Sequence, residues 1–261
     1  MNLSNNTVLI TGGTSGIGLE FASQLLELGN TIIVTGRDQT KLDEAKKRLP
    51  KIHILQSDVS DPKAIGLLYA ETIKKFPDLN IVINNAGIMR KINLNDPVSD
   101  LENLTREIET NLLGTIWMSQ QYLPHLKTKK TAAIVNVSSG LAFVPFPISP
   151  VYSATKSAVH AFTQCLRLQL KNTTVKVFEL APPGTETALF RGDFTAEDLG
   201  GVKSMDVKVM VKRAIAGLKK DQLEIRPGLS NVLKTMGRIA PEFMLGQLSR
   251  PLDSMLSRNK N

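Results

Sequence analysis

The sequence predicts an α/β protein built on a doubly wound parallel sheet, and three features of the chain lead to this fold class. Short apolar runs alternate along the chain with segments whose apolar residues recur every three or four positions. Several of the runs are continuously apolar, as expected of strands that are buried on both faces of a parallel sheet. No linker rich in Pro, Gly or Ser and no internal repeat divides the 261 residues, so we expect a single domain.

Seven apolar runs are the predicted strands, and three of the intervening segments have clear helical spacing. In the last of these helices, Ile65, Leu68, Ile73 and Phe76 share one face. The strands are predicted at 7–10, 31–35, 52–56, 81–84, 132–137, 175–180 and 223–225, and the helices at 15–28, 39–49 and 62–76.

Composition excludes several classes of protein. With 42% hydrophobic and 21% charged residues, the chain has the make-up of a globular protein and not of a collagen-like or disordered one. Cys165 is the single cysteine, so no intramolecular disulfide can form. Residues 1–6 lack the basic and apolar regions of a secretory signal, and no apolar run is long enough to span a membrane. We therefore expect a cytoplasmic protein.

The net charge of +8 favours anionic partners such as nucleotides, nucleic acids or acidic membrane surfaces. The basic residues lie in short patches at 46–48, 127–130 and 219–220, without interleaved aromatic residues. Such patches are typical of solvated helix faces, so we do not expect nucleic acid as a partner.

The first predicted strand runs into a glycine-rich turn at 11–18, and a predicted helix follows at once. This order directs backbone N–H groups and the positive end of the helix at one point, which favours a pyrophosphate. Gly12 permits the tight turn, Gly16 lets a ligand approach the backbone, and Gly18 lets the helix pack on the strand. A purely structural turn is the alternative. We predict that a dinucleotide binds through Gly12, Thr14, Ser15, Gly16, Ile17 and Gly18.

The end of the second predicted strand is where this arrangement meets the adenosine ribose. Gly36 stands there instead of a carboxylate, and Arg37 follows it. A guanidinium pairs well with a phosphate, whereas a carboxylate would accept hydrogen bonds from the ribose 2′-hydroxyl. We therefore predict NADP(H) over NAD(H), with Arg37 at the 2′-phosphate, although the neighbouring Asp38 could neutralise part of that charge.

Three further motifs follow the fourth and fifth strands. They are Asn-Asn-Ala-Gly at 84–87, the pair Ser138 and Ser139, and a Tyr-x₃-Lys motif formed by Tyr152 and Lys156. Together with the glycine turn, they resemble the short-chain dehydrogenase/reductase family over residues 7 to about 228. The resemblance implies a Rossmann fold and oxidoreductase activity. The segments 181–187 and 224–228, with the tail, are similar to the DltE-type branch of the family.

The chemistry of these residue types gives an independent reason for their pattern. Tyr152 and Lys156 are four residues apart, so on a helix they lie on the same face. An ammonium group beside a phenol lowers its pKa, and we predict that Tyr152 is the general acid/base. Ser139 precedes Tyr152 by 13 residues, the separation usual in the family, and its hydroxyl would polarise the substrate oxygen. A helix-surface pair and an ordinary serine turn are the alternatives.

The resemblance also implies roles that the chemistry alone does not assign. Lys156 would bind the nicotinamide ribose, and Asn111 would fix a water that relays protons, unless Asn111 is an ordinary polar residue within a helix. Asp58 would accept from the adenine amino group, and Val59 would flank the ring. Pro183 occupies the family's usual glycine position, which leaves the details of nicotinamide binding open. Further cofactor contacts would come from Asn85, Ala86, Gly87, Tyr152, Thr185 and Thr187.

Two segments are expected to select the substrate. The loop 140–150 is apolar and carries three prolines, and Phe143 or Phe146 could form an apolar wall. The segment 188–205, with Phe190, Arg191 and Phe194, is expected to act as a lid. Both segments favour a small-molecule substrate with an apolar part.

Residues 229–261 are expected to form a helical extension, because their apolar residues follow helical spacing. We expect the extension to pack on the domain or to cover a neighbouring subunit; lying on an acidic membrane surface is the less favoured alternative. The family resemblance also implies a homodimer or homotetramer, formed through helices at about 101–123 and 152–170.

The sequence thus predicts an NADP(H)-dependent oxidoreductase that needs no metal and moves a hydride between nicotinamide and a carbonyl or secondary alcohol. A dinucleotide-binding sensor or scaffold without turnover is the rival. The intact set of Ser139, Tyr152 and Lys156 favours the enzyme, because a sensor does not need a tuned phenol.

Overall fold

Seven strands form one sheet in the computed structural model of the chain, which describes residues 1–97, 100–187 and 204–257 together with Leu189, Phe194, Thr195 and Asp198. The strands are β1 (Thr7–Thr11), β2 (Thr31–Gly36), β3 (His53–Gln56), β4 (Leu79–Asn84), β5 (Ala132–Val137), β6 (Val175–Leu180) and β7 (Glu224–Ile225). Their order across the sheet is β3-β2-β1-β4-β5-β6-β7, and each neighbouring pair is parallel. The predicted doubly wound sheet is confirmed.

The predicted strands agree with the observed ones to within two residues at each end. The largest difference is in β4, which begins at Leu79 and not at residue 81. Leu79 is fully buried and pairs with Thr7, but Asn80 interrupts the apolar run in the sequence. The Asn80 amide donates to Asn6 and accepts from the Thr7 backbone, so a polar residue is accommodated at this strand end.

The helices begin where the sequence supplies capping side chains. Asp38, Asp61 and Asp100 each accept a hydrogen bond from a backbone N–H in the first turn of the helix that follows. The three predicted helices are confirmed. The helices are α1 (Gly16–Glu27), α2 (Gln39–Arg48), α3 (Pro62–Lys75), α4 (Leu101–Glu107), α5 (Gly114–Lys127), α6 (Pro150–Gln169), α7 (Val207–Lys219), α8 (Leu229–Ile239) and α9 (Pro241–Ser257).

The helix expected at about 101–123 is instead three consecutive segments. A π-helical stretch, Ile108–Leu113, separates α4 from α5. The stretch contains the fully buried Asn111, whose backbone carbonyl accepts from the Thr115 hydroxyl at 2.8 Å. A π-turn adds one residue to a helical turn and commonly marks a functional site.

The continuously apolar strands fill two cores, one on each face of the sheet. Val8 and Ile10 of β1 pack with residues of α1, α2 and α7, whereas Leu9 packs with residues of α3, α5 and α6. Successive side chains of a strand point to opposite faces, so a strand covered on both sides must be apolar throughout. The carboxyl ends of the strands are left at one edge of the sheet.

The helical extension packs on the domain beside the loop 140–150. Ser230 and Leu233 of α8 are buried, and a Cβ atom on Gly140 would lie 2.7 Å from the Ser230 hydroxyl. Other apolar residues of the extension, Val232 and Phe243 among them, are exposed. Across the described residues, no helix combines the length and the apolar character that a membrane crossing requires.

Candidate active site

A cleft of about 600 Å³ runs along the carboxyl edge of the sheet. Its volume is typical of a site for a cofactor or another small molecule. Most of the residues predicted for the site line this cleft. They are Gly12, Thr14, Ser15, Gly16, Ile17, Arg37, Asp58, Val59, Asn85, Ala86, Gly87, Ser139, Tyr152, Lys156, Thr185 and Thr187.

The glycine turn forms one wall of the cleft. Gly12 and Gly16 have positive φ angles of 62° and 53°, which residues other than glycine rarely adopt. A Cβ atom on Gly12 would lie 2.8 Å from the Ala86 Cα atom. Within the described part of the chain, Ser15 at the start of α1 makes no side-chain capping bond, so the first N–H groups of this helix are left for a ligand.

Gly18 lies behind the turn and, by the described residues, does not line the cleft. A Cβ atom there would lie 2.5 Å from the Asn85 side-chain nitrogen and from the Gly12 carbonyl oxygen. The Asn85 amide in turn donates to the carbonyl oxygens of Thr11 and Gly12. Gly18 and Asn85 therefore hold the turn in shape from behind, and the part of Gly18 is close packing.

The end of β2 places two basic residues at the cleft. Arg37 and Lys41 both line it, and both residues are exposed. Asp38 lines the cleft as well, and its carboxylate accepts from the Lys41 backbone N–H at 3.2 Å as the cap of α2. The cationic side chains thus outnumber the carboxylate at this end of the cleft.

Three of the four predicted catalytic side chains, those of Ser139, Tyr152 and Lys156, line the cleft. Tyr152 and Lys156 lie on the first turns of α6, and Ser139 directly precedes a short 3₁₀ turn after β5. All three residues are buried. The Lys156 Nζ atom lies 5.6 Å from the centroid of the Tyr152 ring and donates to the Val137 carbonyl oxygen at 2.9 Å. The Ser139 hydroxyl accepts from the Leu141 N–H at 3.1 Å.

Burial dominates the ionisation of this group. It raises the pKa of Tyr152 to about 12; a hydrogen bond with Ser139 works in the opposite direction, and the charge of Glu107 adds to the rise. Burial likewise lowers the pKa of Lys156 to about 8. The prediction that the ammonium lowers the pKa of the phenol is wrong for this geometry, because the lysine nitrogen is directed at Val137 and burial opposes the charged form of both groups.

Asn111 is placed beside the cleft and does not line it, as judged by the described residues. Its side chain accepts from the Ile88 N–H at 2.8 Å and donates to the Ile88 carbonyl at 2.9 Å and to the Thr155 hydroxyl at 3.1 Å. A Cβ atom on Gly87 would lie 3.2 Å from the Asn111 side-chain oxygen. Asn111 therefore clamps the segment after β4 to α6.

Local hydrogen bonds hold two more of the predicted cofactor-binding residues, Asp58 and Thr185, in place. Asp58 accepts from the Ser60 backbone and hydroxyl, which fixes the turn after β3. The Thr185 hydroxyl donates to the Pro183 carbonyl at 2.8 Å. The Thr187 side chain lies over the turn, since a Cβ atom on Gly16 would be 3.1 Å from its methyl carbon.

An apolar cluster packs against Tyr152. It includes Phe146 of the loop and Phe194 of the expected lid, whose ring centroids are 6.3 Å apart. Asp198, in the segment expected to act as a lid, is fully buried and pairs with Lys91 at 2.5 Å. The remaining buried members of the cluster are Met89, Ile148 and Met255.

Phe143 takes a different place from the one expected of an apolar wall. Its ring meets the His160 ring edge to face at 5.1 Å, and the Lys234 ammonium lies 5.3 Å from its centroid. Phe190 and Arg191, which the sequence assigned to the lid, lie outside the described residues.

Comparison with known proteins identifies the family. The model of the short chain dehydrogenase family matches residues 6–198. The chain belongs to this family. The short-chain dehydrogenase is 44% identical over 225 residues to a Bacillus subtilis protein named uncharacterized oxidoreductase DltE; the match covers 86% of this chain and 89% of that protein. The predicted resemblance to the DltE-type branch is confirmed.

Solved structures share the fold of this short-chain dehydrogenase. A short chain dehydrogenase from Burkholderia cenocepacia, in complex with NADP, has a TM-score of 0.81 at 23% identity over 95% of this chain and 99% of that one. A family member from Burkholderia phymatum, in complex with NAD, has a TM-score of 0.80 at 19% identity over 90% of this chain and 93% of that one. At such identities the likeness shows the fold alone.

Sequence reasoning missed several residues that line the cleft of this short-chain dehydrogenase. Lys41 is four positions after Arg37, and that spacing could have drawn attention to it. Met89, Leu233 and Leu248 also line the cleft. Their helical or loop positions carry no chemical signal, since an apolar residue on an amphipathic helix does not reveal what it packs against.

Proposed function

We propose that this short-chain dehydrogenase is an NADP(H)-dependent oxidoreductase, in which Tyr152 exchanges a proton with a carbonyl compound or secondary alcohol. One observation carries the proposal. Ser139, Tyr152 and Lys156 are buried together in the same cleft that the glycine turn at the start of α1 lines. A phenol beside a hydroxyl and an amine is the equipment of general acid/base catalysis at an oxygen atom.

The shape of the turn fits a dinucleotide. The positive φ angles of Gly12 and Gly16 open the turn, and the uncapped start of α1 favours a pyrophosphate. Asp58, Val59, Ala86 and Gly87 would hold the adenosine part, and Thr185, Thr187 and Lys156 the nicotinamide part. When bound, the nicotinamide supplies or accepts the hydride.

Tyr152 is suited to donating a proton. Because burial raises the pKa of Tyr152 to about 12, the phenol keeps its proton at neutral pH. During reduction of a carbonyl it would pass that proton to the substrate oxygen, and during oxidation of an alcohol it would take it back. Ser139 would hold the same oxygen with its hydroxyl, and so keep the distance for proton transfer short.

Lys156 and Asn111 would support the phenol in different ways. The Lys156 amine, anchored on the Val137 carbonyl, lies 5.6 Å from the centre of the Tyr152 ring, where it would bind the nicotinamide ribose next to the phenol. Asn111 keeps the Ile88 backbone and Thr155 together, so that the segment after β4 stays against α6. A water relay that starts from Lys156 and passes Asn111 remains part of the proposal.

The preference for NADP(H) is supported by the charges at the end of β2. Arg37 and Lys41 are both available to a 2′-phosphate, and the Asp38 carboxylate is engaged with the Lys41 backbone. A guanidinium with a second cation close by binds a phosphate dianion better than an uncharged ribose hydroxyl.

The substrate end favours a molecule with an apolar part. Phe146, Met89 and Leu248 supply apolar surface next to Tyr152. The segment 188–205 would cover the substrate, and this role is supported by the packing of Phe194 on Phe146 and by the buried Lys91–Asp198 ion pair.

Assembly as a homodimer or homotetramer through α4, α5 and α6 is part of the proposal. Large apolar side chains are exposed on these helices, with Leu101 at 71% and Leu168 at 69% of their full exposure. Burying them against a second copy would be favourable. Sedimentation velocity would test this, since a wild-type monomer contradicts the assembly and Leu168→Glu should weaken it.

A panel of ketones, aldehydes and secondary alcohols tests the proposed activity. Turnover is followed by the nicotinamide absorbance at 340 nm, with NADPH and NADH compared at equal concentrations. We expect reduction of apolar carbonyl compounds with NADPH. Tight binding of the nucleotide without turnover across the whole panel would instead favour a sensor.

A further inference from the structure

A buried carboxylate joins the two elements that carry the proposed catalytic groups. Glu179 of β6 is fully buried. It accepts a hydrogen bond from the Ser138 hydroxyl at 2.5 Å and from Nδ1 of His160 at 2.8 Å. Ser138 stands immediately before Ser139, and His160 lies one turn after Lys156 on α6. One side chain thus contacts both the strand end that presents the serine and the helix that presents the lysine.

The hydrogen bonds around His160 indicate which ring nitrogen donates to Glu179. The Gln164 amide nitrogen lies 3.0 Å from Nε2 of His160. An amide nitrogen donates and does not accept, so Nε2 is the acceptor and the ring proton is on Nδ1, facing Glu179. The Nδ1–H of His160 and the Ser138 hydroxyl are therefore two donors directed at one carboxylate. Such donors offset the cost of burying its charge.

The same cluster has the ligand types of a metal site. The ligand atoms of His160, Glu179 and Glu224 lie within 4.8 Å of one another. Lys234 and Arg226 already pair with Glu224, however, and Ser138 and His160 donate to Glu179. Because protein donors occupy both carboxylates, the arrangement is a hydrogen-bonded anchor.

We propose that Glu179 is a positioning residue that keeps Ser139 in register with Tyr152 by binding Ser138 and His160 at once. This inference rests on the proposed function. Loss of the carboxylate leaves the buried Ser138 hydroxyl and the partly buried His160 ring without their shared acceptor, and the end of β5 is then free to shift against α6. A displacement of about 1 Å between catalytic groups is enough to cost on the order of 100-fold in rate.

The chain offers a matched control for this anchor. Asn136 is the β5 residue paired with Glu179 across the sheet, and its side-chain amide donates to the Thr163 hydroxyl of α6 at 3.0 Å. Both groups are buried. Thr163→Val therefore removes a hydrogen bond between the same strand and the same helix, but leaves the bonds of Ser138 and His160 intact.

The kinetic test compares Glu179→Gln, Ser138→Ala and their double mutant with Thr163→Val, using NADPH and the best substrate of the carbonyl panel. We expect kcat to fall about 10-fold in both single mutants and no further in the double mutant, since both changes break one contact. In all these variants, the KM for NADPH should stay within about twofold of the wild-type value. The kcat of Thr163→Val should also stay within about twofold of wild type, even if its melting temperature falls as much as that of Glu179→Gln.

Two kinetic results would overturn the inference. One is an unchanged kcat in Glu179→Gln. The other is a kcat in Thr163→Val that falls as much as in Glu179→Gln and Ser138→Ala when all three variants lose the same stability. Absence of turnover by the wild-type protein would count against the proposed function instead. In that case, a spectroscopic measurement tests the Glu179 anchor without requiring activity.

Nitrogen-15 NMR of the imidazoles provides that measurement, and the chain has only three histidines to assign. We expect His160 to carry its proton on Nδ1 at pH 7.5 in the wild-type protein, and to lose this single tautomer in Glu179→Gln. A wild-type ring with its proton on Nε2 alone contradicts the anchor, because Nδ1 could then not donate to Glu179. Stoichiometric Zn²⁺ binding that is lost in His160→Ala would also overturn it, in favour of a metal site.

Discussion

Lys156 lies with its Nζ atom 5.6 Å from the centre of the Tyr152 ring, yet it donates its hydrogen bond to the Val137 carbonyl oxygen and not to the phenol. Four-residue spacing on α6 brings the two side chains to the same face, but burial decides their ionisation. The phenol is held in its neutral form, with its pKa raised to about 12, and the pKa of the amine is lowered to about 8. Burial thus favours the neutral form of both groups.

The raised pKa of Tyr152 predicts an incomplete tyrosinate titration. A free phenol with a pKa near 10 is mostly ionised at pH 10.5, whereas a phenol with a pKa of about 12 is not. Wild-type protein and Tyr152→Phe should therefore have the same tyrosinate absorbance at 295 nm at this pH, with near-UV circular dichroism confirming that both are folded. One additional tyrosinate per chain in the wild-type protein would contradict the raised pKa.

The lowered pKa of Lys156 predicts a pH-dependent stability. Burial brings the pKa of this amine from 10.5 to about 8, so the contribution of Lys156 to stability is fully present above pH 10.5 and is lost as the pH falls through 8. In urea unfolding, the free energy of unfolding of the wild-type protein relative to Lys156→Met should rise by about 2 kcal/mol from pH 8 to pH 10. Tyr152 is common to both proteins, so its effect cancels. A constant difference across this range would refute the shift.

Arg37 is predicted to set the cofactor preference. A hydrogen-bonded charge pair with a phosphate is worth about 1.5 to 3 kcal/mol, so Arg37→Ala should raise the KM for NADPH by about 10- to 100-fold. The KM for NADH should not change, because NADH lacks the 2′-phosphate. Lys47→Ala, an exposed position on α2 that is not part of the cleft lining, serves as the control among the described residues. Equal losses with both cofactors would show that Arg37 does not contact the 2′-phosphate.

The helical extension is predicted to contribute to substrate binding. Leu248 of α9 lines the cleft and packs on the apolar cluster of Tyr152, whereas Leu245 of the same helix is 40% exposed. Leu248→Ala should raise the KM for an apolar carbonyl substrate about fivefold, the equivalent of about 1 kcal/mol of lost apolar contact, with little change in kcat. Leu245→Ala should leave both constants unchanged. Equal KM values for Leu248→Ala and Leu245→Ala would show that Leu248 of the extension does not contact the substrate.

The sheet and the glycine turn could be predicted from the sequence because their signals are local. A strand buried on both faces must be apolar at each position, and Gly12 and Gly16 mark positive φ angles that other residues resist. The spacing of Ser139, Tyr152 and Lys156 can likewise be read directly from the sequence. The family assignment followed from these residues and is confirmed.

Other parts of the site depend on contacts between distant segments and left no local signal. The side chain of Asn111, in the π-turn, bonds to Ile88 and Thr155, which are 23 and 44 residues away. The periodicity of the tail indicated an amphipathic helix but not that Leu248 would reach the cleft. The ionisation of Tyr152 was predicted with the wrong sign, because spacing reveals a neighbouring ammonium and does not reveal burial.

The most direct measurement of the central claim is the turnover of Tyr152→Phe at saturating NADPH, together with the Kd for NADPH from fluorescence titration. Removing the one phenolic oxygen that can exchange the proton should lower kcat by at least about 100-fold and leave the Kd within about twofold. Near wild-type turnover by Tyr152→Phe would contradict the account, because Tyr152 would then not be the proton donor.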